Sequence, residues 1–356
     1  MSNQEKPETG ATGGDDERVQ EEKRAPLEEA FRERLRTVKS VTERRTLAGL
    51  ARELGKLPGD AAYTALEMSA TIAGVSLRAS MEFLRAAPAA SRVLEAAELR
   101  AWGEIGRRLA MADVETAVTF FAAGVEELRR VPEPARALIF QICARQMTLS
   151  SSVAVETFRS APALAEETAD AVELSAIFEV AAEIARRSAK HSADFLASTP
   201  RVIKSLRGFD DERPPEAVVA AAAIELAHSF AARAGGIAAD VWAALPDALV
   251  GQTSTHALKL LKNTGAFLER GGSAALYVLT AGGEVLRSVP DAFDAWLELL
   301  RLIAEHGNAG LIAFVRASPG FFQTLAGETD RRRAADLARR IIAVTGEVAR
   351  VDGEAA

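Results

Sequence analysis

The chain has 356 residues, of which 48% are hydrophobic but only 6% aromatic, so its apolar surface comes mostly from Ala, Leu and Val. That balance disfavours aromatic-rich sheets and favours helices that meet through small side chains. A formal net charge of -7 argues against a nucleic-acid binder whose affinity rests on neutralising phosphates.

Residues 1–24 are rich in Glu, Asp, Gly, Thr and Lys, with one valine as the only sizeable apolar side chain, and read as a disordered tail. No apolar core follows Met1, so no signal peptide is expected. Residues 25–58 read as two N-terminal capping helices. The first carries Leu27, Phe31, Leu35 and Val38 at spacings of four, four and three, and the second runs through Leu47, Leu50 and Leu54.

From 59 to 328 the sequence repeats. An aromatic returns at Phe83, Phe120, Phe158, Phe195, Trp242, Tyr277 and Phe314, at intervals of 37, 38, 37, 47, 35 and 37. Four or five residues after each stands Pro88, Gly124, Pro162, Pro200, Pro246, Gly282 or Pro319, which read as helix terminators. Ahead of each aromatic lies a longer amphipathic stretch, clearest in Leu99, Trp102, Ile105 and Leu109 and in Phe293, Trp296, Leu300 and Ile303. Turns are expected at Ala112-Asp113, Ser150 to Ser152, Gly235-Gly236, Gly271-Gly272 and Gly307-Asn308.

The pattern predicts an all-α fold, an α-solenoid of about seven two-helix repeats of roughly 37 residues with terminal capping helices. The one long interval places a loop insertion at 207–216. Residues 329–356 read as a C-terminal capping helix and short tail, with Leu337, Ile341 and Val344 on one side and Arg331, Arg332, Arg333, Arg339 and Arg340 elsewhere. The most apolar stretch, 217–227, is interrupted by Glu225 and falls short of the ~20 apolar residues of a membrane span, so a soluble protein is expected, and the single cysteine fits a reducing compartment, so the cytoplasm is the expected location.

Catalytic patterns are not evident. His191, His228, His256 and His306 fall in different repeats without metal-ligand spacing. Cys143, the single cysteine, excludes an internal disulfide and sits in the apolar run from Leu138 to Ile142, where a small buried side chain is expected rather than a nucleophile. The Asp210-Asp211-Glu212 run lacks the carboxylate spacing of isoprenoid synthases, because Pro214 stands where the last acid belongs. No catalytic residue, cofactor or metal is assigned, and the chain is not expected to be an enzyme.

Ala101-Trp102-Gly103-Glu104 followed by Thr119-Phe120-Phe121, and Ala295-Trp296-Leu297-Glu298 followed by Ala313 to Pro319, resemble HEAT-like helical repeats found upstream of bacterial von Willebrand A domains. That family partners MoxR-type AAA+ ATPases, so the resemblance implies an interaction scaffold whose protein partner is a MoxR-type ATPase or a von Willebrand A protein. The Asp-x-Ser-x-Ser adhesion motif is missing, so metal-dependent adhesion is not carried over. The expected binding face lies beside the ladder aromatics, at Glu82, Arg85, Thr119, Thr157, Ser160, Asp194 and Arg316, with Val241, Ala244, Leu276 and Leu279 making its later part apolar. The alternative is a small-ligand or lipid-binding protein, or enzyme, with an apolar pocket between repeats.

Overall fold

The computed structural model describes residues 41–54, 59–168, 170–207, 216–326 and 331–351, together with Glu29, Arg32, Glu33 and Arg36. The expected disordered tail, most of the first capping helix and the loop at 208–215 fall outside them. About 90% of the described residues are helical, in 16 α-helices with no strand among them. The helices gather into two compact units, residues 1–162 and 163–356.

The first unit holds α1 (Val41–Leu54), α2 (Gly59–Ala73), α3 (Leu77–Ala90), α4 (Ala96–Ala112), α5 (Val114–Arg129) and α6 (Glu133–Gln146). The next helix, α7 (Ser151–Glu167), begins there and ends in the second unit. Odd helices pack on odd, α1 on α3 and α3 on α5, and even on even, α2 on α4 and α4 on α6. One residue separates α4 from α5. Asp113 closes that turn, its carboxylate accepting from the backbone N–H of Glu115 and of Thr116.

Between the rows, Phe83, Trp102 and Phe121 form a ring cluster with centroids 5.1–5.4 Å apart. Gly106 makes room for it, since a Cβ there would stand 1.9 Å from the Phe121 ring. Buried Ser80 donates to the Ser69 carbonyl at 2.9 Å and ties α2 to α3.

The second unit holds α8 (Ala171–Arg187), α9 (Ala189–Leu206), α10 (Glu216–Ala234), α11 (Ile237–Leu249), α12 (Ser254–Phe267), α13 (Gly272–Ser288), α14 (Phe293–His306), α15 (Asn308–Ala326) and α16 (Arg331–Val351). Again the odd helices form a row, α9 on α11 on α13 on α15. The even helices α8, α10 and α12 form another, and α14 packs on α16. Arg301 donates to the Asn263 side-chain oxygen at 2.7 Å, joining α14 to α12. Three of the expected turns are closed by glycines that adopt positive φ, Gly235 at 55°, Gly271 at 124° and Gly307 at 142°.

All seven ladder aromatics fall on odd helices, α3 through α15. Phe83, Phe120, Phe158, Phe195 and Trp242 are buried, whereas Tyr277 and Phe314 are only half-buried. Arg316 covers the Tyr277 ring at 5.1 Å from its centroid, and Phe314 lines an open groove.

The terminators are not terminators. Pro88, Pro162, Pro200, Pro246 and Pro319 lie inside α3, α7, α9, α11 and α15, and Gly124 and Gly282 lie inside α5 and α13. An interior proline costs a helix ~3 kcal/mol. Beyond Pro200, however, α9 buries Val202, Ile203 and Leu206, and each such side chain contributes about 1.5–3 kcal/mol. Burial therefore outweighs the break.

The terminal helix also departs from expectation. The face of α16 that packs inward is Ala334, Ala335, Ala338, Ile342 and Ala349. Leu337, Ile341, Val344 and Val348 remain 41%, 37%, 66% and 38% exposed. Alanines with Ile342 make up the buried face of α16, and the larger residues are turned off it.

Candidate functional site

The expected binding face divides between the units. In the first, Glu82 and Arg85 form an ion pair at 2.7 Å on α3. Arg78 pairs with Glu115 across α3 and α5. Glu82 and Thr119 each stand one turn beyond those partners, so Glu82, Arg85 and Thr119 share one polar face. Thr119 is exposed, its hydroxyl donating to the Glu115 carbonyl at 2.9 Å.

Thr157 does not belong to that surface. It is 5% exposed, and half-buried Ser160 donates to its carbonyl at 3.0 Å. Phe158 stands four residues before its proline, where Phe83, Phe195 and Phe314 stand five before theirs. Val241, before Trp242 and with the same four-residue spacing, is buried as well.

In the second unit Asp194 is exposed on α9 and Arg316 on α15. Leu279 is buried like Val241, so two of the four residues expected to make the later face apolar belong to the core. Leu276 and Ala244 are half-buried.

Two tryptophans make a contact the sequence reading missed. Trp242 donates its indole N–H to Thr199 at 3.1 Å, and Trp296 donates to Ser318 at 3.0 Å. Each acceptor immediately precedes an in-helix proline and itself donates to the carbonyl of the ladder aromatic one turn earlier, Phe195 or Phe314. The available signal was the Thr-Pro and Ser-Pro pairs. In the first unit Trp102 faces Gly124 where a hydroxyl would stand, and its indole nitrogen is buried without a hydrogen-bond partner.

Titratable groups of the first unit divide by environment. Burial raises the Cys143 thiol to about 12, and its Sγ lies 3.4 Å from the Ala154 carbonyl, as an inert core thiol would. Burial also raises Glu127 and Glu98, the latter in spite of the Glu95 backbone N–H bond that closes the cap of α4. Hydrogen bonds from Arg107 and then Arg108 hold the Glu104 carboxyl below its ordinary value. No group of three or more His, Cys, Asp or Glu residues is placed to hold a metal ion among the described residues.

Two grooves flank α16 in the second unit. One, about 430 Å³, lies against α14 and is lined by Glu298, Arg301, Glu305, Arg339 and Glu347 beside Leu302. The other, about 140 Å³, lies against α15 and is apolar, with Leu299, Phe314, Phe321, Phe322, Ile341 and Ile342. No described helix is long and apolar enough to cross a membrane. No family model, curated protein or solved structure matches the chain.

Proposed function

We propose that this chain is a non-catalytic protein-binding scaffold, an α-solenoid of about seven two-helix repeats that presents its odd helices to a partner. What supports the reading is the row packing: within each unit odd helices stack on odd and even on even, and the turns between them are short. Stacked odd helices offer a polar strip at Glu82, Arg85 and Thr119 in one unit, and Asp194 and Arg316 are exposed on separate odd helices of the other. The partner to test first is a MoxR-type ATPase or a von Willebrand A protein. A small-ligand role is less favoured, because the apolar groove of about 140 Å³ is below the ~300 Å³ of an ordinary ligand pocket and the groove of about 430 Å³ is lined largely by charged side chains.

The test is affinity between purified components. Arg85→Glu and Asp194→Lys should each weaken binding while leaving the melting temperature unchanged, since both positions are exposed. Unaltered affinity in both variants removes this face. A co-purifying metabolite or lipid in place of a stoichiometric protein overturns the scaffold reading.

A further inference from the structure

Eleven large hydrophobic residues are exposed among the described residues, and four of them, Leu337, Ile341, Val344 and Val348, lie on one helix. Their spacing of four, three and four makes a straight seam of the kind that joins two helices in a coiled coil. Together they expose roughly 300 Å² of apolar surface, the size of the largest apolar patch on an ordinary monomer. The seam runs into the apolar groove against α15, since Ile341 belongs to both.

The row packing of this unit says what such a groove accepts. Within it α13 lies against its own first helix α12 and against α11, the odd helix before it. The groove between α15 and α16 offers the same two walls to a further helix, which would run antiparallel to α16 as each odd helix does to the even helix a short turn before it.

We propose that this groove is a self-association surface, in which α16 of a second copy lies antiparallel across α16 of the first, giving a two-fold symmetric dimer. Antiparallel alignment sets Leu337 opposite the second copy's Val348 and Ile341 opposite the second copy's Val344, each twice by symmetry. Large residues thus meet smaller ones in every layer. The charges agree with that register. Arg340 and Glu347, both exposed, flank the seam on the edge away from α15, and the same alignment brings Arg340 opposite the second copy's Glu347, again twice. The inference uses the packing inside this unit and does not depend on the scaffold reading.

Two seams bury roughly 600 Å², and the groove walls add to that, which places the contact among weak interfaces with micromolar or weaker affinity. Sedimentation equilibrium on the full chain, over a dilution series from micromolar to near-millimolar, is the test. Wild type should show a monomer–dimer equilibrium. Arg340→Glu and Glu347→Arg alone should each weaken it roughly tenfold through two symmetric repulsions, and the double exchange should restore it. Hydrogen exchange of the wild-type chain at low and high concentration gives a readout free of substitutions, with added protection confined to 308–351. A monomer at every concentration, a dimer indifferent to the single reversals, failure of the double exchange to restore it, or protection elsewhere would each overturn the proposal. Binding of a different protein to the seam with no self-association would overturn it too.

Discussion

Gly283→Ala offers a sharp test of how closely the odd helices meet. A Cβ at Gly283 of α13 would stand 2.3 Å from the Ala248 carbonyl oxygen, 2.8 Å from its Cα and 2.9 Å from its carbonyl carbon in α11. These are backbone atoms, so no rotamer change relieves them. Ordinary contact begins at 3.4 Å, so the two helices must part locally by about 1 Å. Overpacking of that kind costs about 1–3 kcal/mol. The hydrogen bonds from Gln252 to the Gly283 carbonyl at 3.0 Å and from Arg287 to the Asp247 carbonyl at 2.8 Å span the same crossing, and stretching them costs about 1 kcal/mol more. Alanine returns about 1 kcal/mol of helix propensity. The expected net is a destabilisation of about 1–3 kcal/mol, read as a lowered urea midpoint. Gly320→Ala in α15 is the control, because nothing lies within 4 Å of its Cβ position. There propensity acts alone, and a gain of up to about 1 kcal/mol is expected. If Gly283→Ala moved the midpoint upward as Gly320→Ala does, the close approach would be wrong.

Trp296→Phe should lose about 1 kcal/mol more than Trp102→Phe, because only Trp296 gives up a hydrogen bond; equal losses by denaturant titration would contradict the Ser318 contact. Cys143, buried and shifted to about 12, should resist a thiol reagent at neutral pH until the first unit opens, so labelling should track denaturant; prompt labelling of the native chain would refute its burial. The folded value of Glu104 lies below its unfolded value, so its contribution is present above the ordinary carboxylate pKa and is lost as pH falls through the folded one. Glu104→Gln should therefore flatten the acid limb of the stability curve; an acid limb identical to wild type would contradict the Arg107 pairing.

Periodicity made the helices legible, since a buried aromatic must return to the same face of each repeat, and all seven do fall on odd helices. It could not show where those helices end. A local rule reads proline as a stop from its cost, yet Val202, Ile203 and Leu206 beyond Pro200 recover more than that cost through contacts invisible to such a rule. Counting from the aromatic places Thr157 on the binding face, but its side chain lies in the core. On α16 the apolar spacing was seen, but its direction was not. The face that turns inward carries mostly alanines, which apolar spacing of the larger residues does not reveal.

Trp102 lies in the first unit, and Trp242 and Trp296 in the second, all three fully buried. Each is shielded from water in the native chain and would be exposed when its own unit opens. Ultraviolet emission from Trp102 alone, after replacing the other two, reports on one half of the molecule, and the complementary replacement reports on the other. The chain thus contains its own pair of optical probes, and whether its halves melt in concert can be measured without attaching a dye.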